Sequence, residues 1–179
     1  MLILCEEKIV ICSLVSSIVH ESGHLFFMCI FDDVPQKVDF SLFGMRIDRA
    51  NRTSLSYKKE IVIAYGGIIF NLILSVLCFI LSAFLNKKIL LEISVINLFI
   101  AVVNSFPVSI LDSGRALRCI LIISKGIDSG GYYADIISDC FVIIFTIIST
   151  IYLIFYSINI SLFAVNLYLI FITIIKKWS

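Results

Sequence analysis

The chain has 179 residues, enough for one domain with little room for a second. Hydrophobic residues make up 60% and charged residues 15%, against about 45–50% and about 25% in soluble domains. Such a chain cannot cover its own surface with polar groups in water, which excludes an ordinary soluble protein, and a net charge of +1 offers nucleic acid no electrostatic handle.

A membrane-spanning helix needs about 20 mostly apolar residues. Taken in chain order, the first predicted span runs from Ile9 to about Phe31. It has no basic start and carries His and Glu inside it, so it does not read as a removable signal peptide. A polar loop follows from Asp32 to Glu60. Within it, apolar and polar residues alternate from Lys37 to Leu42, and again at Phe43, Met45 and Ile47 around Gly44. Period-two patterning about a glycine fits a small β-hairpin, with an irregular interfacial loop as the alternative. The second span is predicted over Ile61–Leu85 and the third from Ile89 to about Leu111. The segment Asp112–Asp135, with Gly126, Gly130 and Gly131, reads as at least partly loop. The apolar run Ile136–Ile175 is too long for one span, and Ser157-Ile158-Asn159 is the best place for it to turn. The expectation is an all-α integral membrane protein of about five helices, with four spans and a re-entrant segment as the variant. One domain would cover 1–179, with a three-helix core over 9–115 and a helical hairpin over about 136–176.

The six cysteines form no C-x-x-C pair and fall mostly in apolar stretches, where free Cys acts as a small hydrophobe. The chemistry lies in the first span, in His20-Glu21-Ser22-Gly23-His24. Residues four apart share a helix face, so both imidazoles can reach one zinc ion, and Glu21 can act as base on a water at that ion. An ionised Glu at a helix centre in the bilayer costs about 2.5–3.5 kcal/mol, so two His and a Glu in one span need a reason such as a metal. The bland reading is a hydrogen-bonded His pair within a helix bundle. The chain has two histidines, so any third protein ligand is a carboxylate or a thiolate. Asp112 ends the third predicted span after Pro107 and before Gly114. Two readings fit it: a ligand aimed into the bundle, or an ordinary helix-end residue at the interface.

These motifs together resemble the site-2 protease family of intramembrane metalloproteases. H-E-x-G-H is carried by His20, Glu21, Gly23 and His24; G-x-x-x-N by Gly67 and Asn71; and N-x-x-P-x-x-x-L-D-x-G by Asn104, Pro107, Leu111, Asp112 and Gly114. The short chain is most similar to the compact sporulation-type branch. Ser113 stands where the family usually has Gly, and a common second Pro is absent. The resemblance implies one Zn2+ per chain held by His20, His24 and Asp112, with Glu21 as catalytic base. It also implies that Asn71 and Asn104 hold the substrate or its oxyanion. For Asn71, an interhelical hydrogen bond fits the residues equally well. The implied function is endoproteolysis of membrane-inserted or membrane-tethered proteins near the cytoplasmic face, with no nucleotide-binding extension and no nucleic-acid partner. A transporter with a polar relay would show paired charges in several spans. An inactive relative would have lost a ligand or the base.

Composition rich in Ile and Phe matches an AT-rich bacterial genome, hence the expectation of a multi-pass protein of a bacterial cell membrane. With five spans and the Asp32–Glu60 loop inside, only Lys8, Lys87 and Lys88 of the 14 basic residues face outward, as the positive-inside rule requires. Single-cysteine labelling should therefore find positions 58 and 118 shielded in intact cells and position 87 reactive. A reactive position 58 would overturn this orientation.

Overall fold

Apolar runs fold as helices in lipid because every backbone polar group must find its partner within the segment. The computed structural model describes residues 2–32, 35–41, 44–49 and 56–156, with Leu167, Ile170 and Phe171. It contains α1 (Leu2–Ile30), β1 (Pro35–Ser41), β2 (Gly44–Arg49), α2 (Tyr57–Leu85), α3 (Lys88–Asn104), α4 (Asp112–Lys125) and α5 (Ile127–Tyr156). The chain divides into two compact units, Met1–Ser105 and Phe106–Ser179. Among the described residues three helical stretches are long and apolar enough to cross a membrane: Lys8–Ile30, Tyr57–Leu85 and Ile127–Tyr152.

In the first unit the usual amphipathic arrangement is turned inside out. On α1 the buried positions are Ser16, His20, Gly23, His24 and Met28, a single stripe at helical spacing, whereas Ile11, Leu14 and Ile18 are exposed. Helix α2 likewise buries Gly66, Gly67, Asn71 and Ser75 and exposes Val76, Phe79 and Phe84. Apolar surface directed outward and polar groups directed inward is what a hydrocarbon solvent selects.

Hydrogen bonds tie the three helices. Ser75 and Ser94 each donate to the other's backbone carbonyl, at 2.9 and 2.8 Å, joining α2 to α3. Asn97 of α3 donates to Ser16 Oγ of α1 at 2.9 Å. Helices α1 and α2 approach through glycine. A Cβ on Gly23 would run into the Gly66 carbonyl, and one on Gly66 would lie 2.6 Å from the Gly23 carbonyl oxygen. Small residues let backbones this close pack where lipid removes the hydrophobic drive between helices. Between α1 and α2, strands β1 and β2 pair antiparallel, with Val38 opposite Ile47 and Asp39 opposite Arg46. The alternation in the sequence fits either a hairpin or an irregular loop there, and residues 42–43 lie outside the described residues.

Helix α2 ends at Asn86, whose left-handed backbone (φ 51°) turns the chain directly into α3. The third helix is shorter than expected. It stops at Asn104 rather than near Leu111 and has 17 residues, about 26 Å at 1.5 Å per residue. Pro107 accounts for the stop, since it lacks an amide proton and disfavours helix at the residue before it.

The second unit departs further from the sequence reading. Residues 112–125 are helical, and α5 starts at Ile127, nine residues before the expected Ile136. Only Gly126, with φ +85°, breaks the chain; Gly130 and Gly131 lie inside α5. Gly130 is there for space, because a Cβ on it would meet the backbone of Leu121 and Ile122 at 2.5 Å. Helix α4 buries Asp112, Ser113, Ala116 and Cys119 along one side, and Arg118 pairs with Asp135 of α5 at 3.2 Å. Val108 and Val142 centre a small core with Phe106, Leu111, Phe141, Phe145 and Ile170. The expected turn at 157–159 and most of the final span lie outside the described residues.

Gly23→Ala should lower the unfolding midpoint of the detergent-solubilised protein, at a cost of about 1–3 kcal/mol, because neither backbone can yield without moving a helix. Ile18→Ala, on the exposed face of α1, should leave the midpoint nearly unchanged. Equal midpoints for Gly23→Ala and the parent would show that the glycine contact does not hold the helices.

Candidate metal centre

His20 and His24 are one turn apart on the buried stripe of α1, each only 6% exposed. Their rings meet edge to face with centroids 4.9 Å apart. The Nε2 atoms lie 3.2 Å apart. Two nitrogens bound at 2.0–2.1 Å around one tetrahedral ion would sit about 3.3 Å apart, so the pair already has the bite of a bidentate metal site.

The glycine contact makes this possible. The Nδ1 of His24 is 2.8 Å from the backbone oxygen of Ile63. In a helix that carbonyl is shielded by the side chains three and four residues on, which here are Gly66 and Gly67. Bare backbone leaves the oxygen open to the ring, and its second lone pair is available beside the helix bond. With Nδ1–H donating to Ile63, Nε2 of His24 is the lone-pair atom. Gly67 also provides the cradle. A Cβ there would sit 2.6 Å from His24 Nε2 and 2.8 Å from His20 Nε2. A side chain on residue 67 would therefore fill the space against both Nε2 atoms. A buried pair of imidazole nitrogens facing that space suits a divalent metal of the zinc, nickel or copper kind.

Glu21 follows the first histidine on α1 and is half-buried. Asn71 sits on α2, one turn beyond Gly67, fully buried, with Nδ2 3.4 Å from His20 Nδ1. Asn104 is the last residue of α3, and its Nδ2 donates to Ile100 O of its own helix at 3.0 Å. Asp112 opens α4 and is 7% exposed. A carboxylate in the first turn of a helix is favoured by the helix dipole. Leu111, its N-cap, is extended, and the chain before it is non-helical from Phe106. Gly114 follows Asp112 two residues later. It sits inside α4, where a Cβ would collide with the Val108 carbonyl.

Sequence reasoning passed over Asn97 and Ser16. Asn97 is fully buried and donates to both Ser16 Oγ and Ile93 O. Ser16 lies one turn before His20, so this bond braces α1 just below the site. The signal was present, because an amide inside an apolar span is costly unless it is used.

No family model matches this sequence, and no curated protein sequence matches it. Among solved structures the chain is similar to the site-2 protease from Methanocaldococcus jannaschii, with a TM-score of 0.69 and 24% sequence identity over 92% of this chain and 74% of that one. At that identity the likeness is one of fold.

The purified protein should hold about one zinc ion per chain by elemental analysis, as expected of a single site. Gly67→Ala should hold markedly less at an unchanged helical circular-dichroism spectrum. Full zinc content in Gly67→Ala would place the ion away from the paired Nε2 atoms.

Proposed function

We propose that the chain is an intramembrane zinc metalloendopeptidase acting on membrane-inserted or membrane-tethered proteins. The observation that carries this reading is the buried pair of Nε2 atoms 3.2 Å apart, on a helix long and apolar enough to span a bilayer, with Glu21 next to His20 in the sequence. The fold shared with an archaeal site-2 protease supports it.

In this reading His20, His24 and Asp112 hold the zinc. With no third histidine in the chain, a carboxylate is the natural complement to two imidazoles, and Asp112 is a buried one at the head of a helix. A zinc ion so held supplies Lewis-acid polarisation of a carbonyl and lowers the pKa of water toward neutrality. Glu21 accepts the proton of the attacking water and returns it to the leaving amine nitrogen. The β1–β2 hairpin offers a strand edge on which an unwound substrate can pair, because a helical span hides its amides in its own hydrogen bonds. Asn104 keeps the substrate-holding role that the resemblance implies. Both units then serve one membrane-embedded domain of about five spans in a bacterial cell membrane, with the site toward the cytoplasm, the orientation that the distribution of Lys and Arg favours.

Reconstitution with a single-span substrate and a matched soluble protein tests the reading. Glu21→Gln should keep its zinc and lose about 10²–10⁴-fold in cleavage, as removal of a general base does. His24→Ala and Asp112→Ala should lose both zinc and cleavage. Full zinc affinity in Asp112→Ala would move the third ligand elsewhere. Equal cleavage of the soluble protein would rule out an enclosed, intramembrane site.

A further inference from the structure

The contact between Asn71 and His20 is chemically ambiguous, and the ambiguity is informative. The ring nitrogen and the amide Nδ2 lie 3.4 Å apart, and Asn71 Oδ1 is buried without a hydrogen-bond partner. A neutral imidazole carries one proton. With that proton on Nε2, His20 donates to His24 Nε2 at 3.2 Å, and its Nδ1 accepts from the amide. Moving the proton to Nδ1 gives His20 a metal-binding Nε2, the same tautomer that the Ile63 carbonyl imposes on His24. Then Nδ1–H faces an amide NH2, donor against donor. A half-turn of the Asn71 amide about χ2 removes the conflict by placing Oδ1 on Nδ1–H. The two ends of an amide are nearly equal in size and are told apart only by their hydrogen bonds, so the turn needs no repacking. In either orientation one end of the amide meets His20, so the choice follows from the partner's chemistry.

We infer that Asn71 is a positioning residue for the metal ligand His20, its side-chain carbonyl accepting the Nδ1–H hydrogen bond that fixes the ring and its tautomer. This rests on the metalloprotease reading and replaces the substrate-holding role for Asn71. The two histidines are thus supported in parallel by α2, His24 by a backbone carbonyl of Ile63 and His20 by a side-chain carbonyl two turns on. Ligand-supporting partners of this kind commonly change metal affinity 10–100-fold when removed. Asn suits the place better than Leu, which offers no acceptor. Asp offers an acceptor only, which should hold the metal-binding tautomer at least as firmly.

The test is zinc affinity of the full chain in detergent, measured by competition with a chromophoric chelator, and the visible absorption of the Co2+-loaded protein. Asn71→Leu should weaken zinc about 10–100-fold and alter the cobalt spectrum. Asn71→Asp should bind zinc as tightly as the parent or more so, with the four-coordinate cobalt bands kept. Parent-like affinity in Asn71→Leu overturns the inference, as does equal weakening in both variants, which would mark a packing role. If Asn71→Leu does not fold, weakened binding in Asn71→Asp is by itself sufficient to overturn it. His24→Ala separates the two levels: if it binds zinc like the parent, the metal centre itself is wrongly placed, and this inference falls with it.

Discussion

Two helices that touch through bare backbone set the geometry of the first unit. Where Gly23 of α1 meets Gly66 of α2, neither side has room for a methyl group. That approach brings the ring of His24 within 2.8 Å of the Ile63 carbonyl and leaves both histidines over the open face of Gly67. Larger residues at these positions would hold α1 away, and the imidazoles would lose both the acceptor that orients one of them and the space they face. Packing and site geometry are therefore one constraint, not two.

Polar contacts then fix the register of the remaining pairs. The reciprocal Ser75–Ser94 bonds set α2 against α3, and Asn97–Ser16 sets α3 against α1. In a bilayer such bonds are worth about 0.6–2 kcal/mol each, modest singly but directional, whereas lipid-facing apolar contacts discriminate little between registers. The buried histidines thus lie within a seam of Ser and Asn side chains. This explains how a helix with ionisable groups at its middle can sit among neighbours that are almost wholly apolar outside.

The second unit solves a different problem. Its chain must leave a helix, run without regular structure from Phe106 to Leu111, and start α4 with a carboxylate already buried. Pro107 ends the preceding helix, Ser109 N–H is satisfied by Ser138 Oγ at 2.9 Å, and Gly114 lets α4 begin against the Val108 carbonyl. Within the non-helical stretch, Val108 N–H donates to the Phe106 carbonyl and Leu111 N–H to the Val108 carbonyl, so local bonds stand in for helical ones. In the proposed mechanism this is how an acidic ligand is delivered without a third histidine.

The sequence by itself determined that the chain is built for lipid, where α1 and α2 lie, and that two histidines one helical turn apart fall within the first apolar helix. Composition, helical spacing and the H-E-x-x-H pattern are local properties that survive without coordinates. The paired strands β1 and β2 fall on the period-two alternation around Gly44. Helix ends were less legible. Pro107 ended α3 seven residues early, and Gly130 and Gly131 suggested a loop where close packing against Leu121 and Ile122 wanted glycine inside a helix. A glycine that turns the chain and one that admits a neighbour look alike in one dimension. Only tertiary structure decided that Gly67 makes the space in front of both Nε2 atoms, that Ile63 supplies a carbonyl to His24, and that Asn97 braces the helix carrying the site. Each of these depends on which residue of another helix lies opposite, and no spacing along a single chain encodes that.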